Sequence, residues 1–235
     1  MLESIKKQRN MWANKKQDSV WSFIWVCLAY LVFCNVMPAL LGAAVGEKLP
    51  GSVNGYYTAL CCLTGSVFIW YLYSIYGEKV KLSKNISFGG IVEALGVGLF
   101  LFFFINFFVS LLLGLVFTQS QANYGQAVDD MFQTPYSTFF QLVFMAPVFE
   151  ELIFRGFLLR RALRWRSVAA AVVLTAGFFG LLHMSVVQGL SAMAAGVVLC
   201  LLFVWKRSIG LCILAHSFYN GLAFFMVLLS SGGGV

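Results

Sequence analysis

Residues 139–159 form an apolar run long enough to cross a bilayer, yet the run carries Glu150, Glu151 and Arg155. A charge near the bilayer centre costs about 2.5–3.5 kcal/mol on an insertion scale. A chain with such a segment folds only if other segments surround those groups and meet their hydrogen bonds. The only two histidines, His183 and His216, also fall in apolar segments. Polar groups placed this way mark a candidate active site inside a membrane domain.

Composition agrees with that constraint. The 235 residues are 60% hydrophobic and 11% charged, with 24 phenylalanines, more apolar surface than a soluble core of this length can cover. Hydropathy predicts about seven spans, at 20–45, 55–76, 88–117, 137–162, 167–185, 188–205 and 208–230, with about eight as the upper count. The fold class read from the sequence is all-α, a polytopic transmembrane helical bundle. Its parts are a basic polar arm (1–18), N-terminal transmembrane helices (19–134) and a catalytic transmembrane core (135–230). The polar stretches 46–54, 77–87 and 118–136 read as connecting loops.

The net charge of +7 is distributed by topology. Lys6, Lys7, Arg9, Lys15 and Lys16 precede the first span, and Lys79, Lys81 and Lys84 lie between the second and third. Arg160, Arg161, Arg164 and Arg166 follow the fourth, while Lys206 and Arg207 follow the sixth. These loops alternate, so they share one side, whereas the opposite loops hold only Lys48. The positive-inside rule then predicts a cytoplasmic N-terminus and argues against nucleic acid as a partner. The first apolar run is too long for a leader's core and reads as a retained helix, with Trp12, Trp21 and Trp25 as interfacial anchors. The six cysteines all sit in apolar runs and read as small core residues. Glu93, near the start of the third span, reads as an interfacial residue.

On a helix, Glu151 and Arg155 share a face four residues apart and can pair. Glu150 is rotated about 100° from Glu151, so it is the carboxylate left free for general-base work. Phe179 and His183 share one face, as do His216 and Asn220, whose side chains offer two hydrogen-bond donors to a developing oxyanion. Ser217 and Tyr219 read as lying on other faces. Glu150 and His183 are equally far in sequence from the turn at Arg166 and Ser167, so an antiparallel hairpin brings them to one depth. Counting from Leu159 and from Arg207, Glu150 and His216 both lie about 13–14 Å deep. With His183 only halfway across, the fifth and sixth spans are expected to form a shortened hairpin, with Ser191, Ala192, Ala195 and Gly196 allowing close helix contact.

Glu-Glu-x-x-x-Arg at 150–155, Phe-x-x-x-His at 179–183 and His-x-x-x-Asn at 216–220, in that order on successive membrane segments, resemble the CPBP family of intramembrane proteases. This is the group of type II CAAX prenyl endopeptidases and bacteriocin-processing proteins, also called Abi, and the resemblance covers roughly residues 135–225. It implies that Glu150 activates water, that His183 assists, and that His216 and Asn220 stabilise the oxyanion. Glu151, Arg155 and Phe179 match supporting positions. It implies a membrane-associated peptide or protein substrate: a bacteriocin or signalling-peptide precursor, or a CAAX-like protein tail. It further implies a place in the cytoplasmic membrane, in a chain whose sparse loops are similar to those of bacterial members.

Each motif also has a plainer meaning when taken alone. A membrane Glu–Arg pair is often a structural lock, and a single buried histidine is often only a satisfied hydrogen-bonder. A non-catalytic alternative therefore stands beside the enzyme: a bacteriocin immunity or membrane scaffold protein that binds a peptide or a partner membrane protein. A transporter ranks below both, since no inverted-repeat pattern of broken helices is evident. No cofactor is expected; two histidines and a glutamate are a conceivable zinc set, but the sequence has no His-Glu-x-x-His element.

Overall fold

The computed structural model describes residues 20–46, 53–76, 86–183 and 185–230. Among them run eight helices and no strand: α1 (residues 20–46), α2 (Val53–Ile75), α3 (Phe88–Val116), α4 (Thr118–Phe132), α5 (residues 135–165), α6 (Val168–Leu181), α7 (Val186–Lys206) and α8 (Ile209–Ser230). The basic arm at 1–18, Trp12, Lys48, Lys79, Lys81 and Lys84 lie outside the described residues. Five helices, α1, α2, α3, α7 and α8, are long and apolar enough to cross a bilayer, and the chain is an integral membrane protein.

The expected seven spans are modified at two places. The fifth is α6, whose 14 residues reach about 21 Å, short of a hydrocarbon core of about 30 Å. The fourth is the continuous run α5, wound alternately as α- and π-helix and loaded with buried charge rather than uniformly apolar. A third difference concerns 118–136, read as a loop but mostly helical as α4. Its polar residues include good helix formers, and no proline interrupts them before Pro135. The Ser120 hydroxyl of α4 accepts the Val187 N–H at 3.2 Å and so caps the start of α7.

The shortened hairpin holds for α6 alone, since α7 has 21 residues. The two helices meet backbone to backbone. A Cβ on Gly180 would lie 2.5 Å from the Gly189 carbonyl, and one on Gly196 would lie 3.2 Å from the Phe179 ring. Only small residues permit that approach.

The basic helix ends collect at one end of the bundle. Arg161 stands 4.1 Å over the Tyr76 ring after α2, and Arg160 stands 5.5 Å over Phe203 of α7. Glu93 of α3, expected only as an interfacial residue, forms an ion pair with Lys206. Arg207 ends α7 in the left-handed region at φ 55°, its N–H returning to the Phe203 carbonyl. Burial first, then the like charge of Arg160, lowers the Arg207 guanidinium below its ordinary pKa.

Two prolines account for two of the π-turns. In α1 the winding widens over Val32–Val36, with Met37 N–H bonding five residues back to the Val32 carbonyl. Pro38 follows and has no N–H for the Cys34 carbonyl one turn behind it. The Cys61 thiol of α2 supplies the missing donor at 3.7 Å. The same device recurs in α5 and shapes the site.

Candidate active site

In α5 the backbone is π-wound over Phe140–Met145, and Ala146 N–H bonds to the Gln141 carbonyl. In that winding the next carbonyl, that of Leu142, would look to residue 147, which is Pro147 and carries no N–H. The Asn220 amide of α8 donates to it at 2.8 Å. Asn220 therefore ties α8 to α5 about two turns before the carboxylates, and its second amide N–H remains for other work.

Glu151 begins a second π-wound stretch, Glu151–Leu159, whose side chains are almost wholly enclosed. Its carboxylate is fully buried and accepts from two sides. Arg155 Nη1 donates to Glu151 Oε1 at 2.8 Å, and His216 Nδ1 lies 2.9 Å from the same oxygen. An ionised carboxylate only accepts, so His216 carries its proton on Nδ1. Arg155, also fully buried, donates from Nη2 to the Gly196 carbonyl at 3.2 Å, and its guanidinium stands 4.8 Å from the centre of the Phe179 ring. The expected Glu151–Arg155 pair is present, with a third member, His216, that helical spacing alone could not supply.

Glu150 has no ion pair of its own among the described residues except a long one: its Oε2 lies 3.8 Å from His216 Nε2. One imidazole thus stands between two adjacent carboxylates, held by Glu151 on one nitrogen and facing Glu150 with the other. Glu150 is within electrostatic reach of His183 as well. His183 is half-buried, and its Nδ1 donates to the Phe179 carbonyl at 2.8 Å, which leaves Nε2 for the site. The Phe179 ring separates the histidines, with centroids 5.0 Å from His183 and 6.3 Å from His216. Tyr219, set aside from the sequence, shares the face of His216 three residues earlier, with rings 6.5 Å apart.

Two further residues hold this arrangement and carry no obvious sequence signal. The Tyr73 hydroxyl of α2 donates to the Leu152 carbonyl at 3.1 Å. It reaches that carbonyl because position 156 is glycine; a Cβ there would lie 2.5 Å from the hydroxyl oxygen. Among the described residues, no group of three or more His, Cys, Asp or Glu side chains is gathered at metal-binding spacing.

Residues 132–222 match the family model Rce1-like, described as type II CAAX prenyl endopeptidase Rce1-like. The match covers less than half of the 235 residues and shows a likeness to that family over this part of the chain. The family is a protease family, and the match takes in Glu150, Glu151, Arg155, Phe179, His183, His216 and Asn220. No curated protein and no solved structure matches the chain. The matched region comprises α5, α6, α7 and most of α8, while α1, α2, α3 and nearly all of α4 precede it. Tyr73, which braces the charged stretch of α5, comes from outside the matched region.

Proposed function

We propose that the protein is an intramembrane endopeptidase in which Glu150 activates the water that attacks a scissile peptide carbonyl. The observation that carries this reading is the placement of His216 between Glu151 and Glu150, inside the region that matches the Rce1-like family. Glu151 is engaged by Arg155 and His216, so Glu150 is the carboxylate left to take a proton. His183, positioned through the Phe179 carbonyl, assists at the water. The developing oxyanion is met by His216, oriented through Nδ1 by Glu151, and by the second amide N–H of Asn220. The proton taken by Glu150 passes to the leaving amine, so each cut consumes one water.

The substrate class that fits is a membrane-associated peptide or protein, either a peptide precursor such as that of a bacteriocin or signalling peptide, or a CAAX-like tail. The same reading places the N-terminus and the basic helix ends in the cytoplasm, with the site about 13–14 Å below that surface. The test compares protein termini in host cells carrying wild-type protein or Glu150→Gln at matched membrane abundance. Termini generated only by the wild type are expected and would nominate substrates. Identical profiles, with any host phenotype kept by the variant, would replace catalysis with peptide binding or immunity.

A further inference from the structure

Glu150 borders a second space. A cavity of about 90 Å³ lies beside it, walled by α1, α2 and α5 and touched by neither histidine. Its lining is half polar: Tyr30 and Asn35 from α1, Tyr57 from α2, and Gln141 with Glu150 from α5. The other walls include the small side chain of Ala146.

The cavity sits where two irregular turns face each other. Asn35 belongs to the π-turn Val32–Val36 and Gln141 to the π-turn Phe140–Met145, each followed two residues later by a proline. Such turns widen a helix locally and are frequent at functional sites. The walls are held from outside. Tyr30 is fixed edge-on against Phe154, with ring centroids 5.5 Å apart, and lies within electrostatic reach of Glu150. Gln141 Oε1 accepts the Thr58 hydroxyl at 3.4 Å, which aims its amide nitrogen elsewhere.

We propose that this cavity is a hydrated water store that feeds Glu150, which makes α1 and α2 part of the hydrolytic apparatus. The proposal deepens the endopeptidase reading and rests on it. The volume is several times the roughly 10–15 Å³ that one buried water requires, and five polar side chains line it as partners. The chemistry requires a supply, because each turnover removes one water: its oxygen bonds to the carbonyl carbon, the C–N bond breaks, and its protons end on the new acid and amine. Tyr30, Asn35, Tyr57 and Gln141 give the water a polar holding place next to the carboxylate that uses it.

The experiment is X-ray radiolytic hydroxyl labelling of the full chain in lipid nanodiscs, in ¹⁸O-enriched water. Water held in the cavity makes radicals in place, so Tyr30 should be oxidised several-fold faster than Tyr73. Both tyrosines are buried, at 8% and 5% exposure, and only Tyr30 lines the cavity. Equal rates in the wild type would overturn the proposal without need of any variant. Ala146→Leu, which fills the space with apolar atoms, should reduce Tyr30 labelling to the Tyr73 level and reduce the yield of Glu150-dependent termini. Unchanged yield in a variant that has lost the label would overturn the supply role. A changed choice of cut peptides, with yield kept, would replace water by a substrate side chain as the occupant. Fast Tyr30 labelling in a wild-type protein that makes no Glu150-dependent termini would leave the water site established and sink the endopeptidase reading alone.

Discussion

His216 Nδ1 lies 2.9 Å from Glu151 Oε1, a contact between side chains 65 residues apart in the chain. It binds α8 to α5 through a carboxylate that also holds Arg155, all three side chains being buried. Removing the carboxylate strands a guanidinium and an imidazole together. Glu151→Ala should therefore lower stability by about 3–5 kcal/mol, the usual cost of breaking a buried ion pair from one side. Unfolding of purified protein in nanodiscs and steady membrane abundance both measure it; a variant as stable as wild type would contradict the assignment.

Glu150→Gln makes the opposite expectation. The amide keeps the shape of the side chain, leaves the contacts of Glu151 with Arg155 and His216 in place and alters only the long contact to His216 Nε2, so unfolding should stay close to wild type. Cleavage should fall by about 10²–10⁴-fold, the contribution of a positioned general base. Retained turnover at normal abundance would remove Glu150 from the chemistry.

Asn220 and Pro147 should be coupled. Asn220→Ala leaves the Leu142 carbonyl without its donor and should cost about 1–3 kcal/mol. Pro147→Ala restores a backbone N–H directly after that of Ala146, in position for the Leu142 carbonyl, so the same Asn220→Ala change should cost less in that background. A double-mutant cycle in unfolding free energy reads the interaction. Strict additivity would show that the proline is not what exposes that carbonyl.

Gly156→Ala should destabilise by about 1–3 kcal/mol, because its methyl group would press on the Tyr73 hydroxyl. Tyr73→Phe removes the oxygen that the methyl group meets. The glycine substitution should then be milder in the Tyr73→Phe protein than in wild type, again by unfolding. An equal cost in both would point to Ile209, whose side chain is the next contact at 3.0 Å.

Phe179→Leu keeps an apolar side chain but loses the ring that faces Arg155 and separates the histidines. It should lower stability modestly, by about 0.5–2 kcal/mol from the lost cation–π contact. Cleavage should fall further than stability, because the spacing of His183 and His216 depends on the ring. Parallel losses of abundance and cleavage would make Phe179 a packing residue only.

Much of the site was legible because charge in an apolar run has few explanations. Glu150, Glu151 and Arg155 stood out against their neighbours, and helical spacing alone paired Glu151 with Arg155. The same spacing grouped Phe179 with His183 and His216 with Asn220, and equal distances from a turn brought α5 and α6 into register. Helical arithmetic failed where the decisive signal was not hydropathy. The polar stretch 118–136 proved to be α4, since helix propensity survives the loss of apolar periodicity. Tyr219 was placed on the wrong face, although three residues separate it from His216.

By itself the sequence determined that this chain enters a membrane, where its helices run, and which side chains are too costly to be there by accident. Those are local properties: hydropathy over a span, residue spacing along one helix, the energy of a charge in hydrocarbon. Only the tertiary structure decided which groups are partners across helices. It gave His216 to Glu151, Asn220 to a carbonyl exposed by Pro147, and Tyr73 to the gap that Gly156 leaves. Each of those choices depends on the rotation and approach of helices far apart in the chain, set by packing of small residues and by backbone groups that proline leaves without a donor.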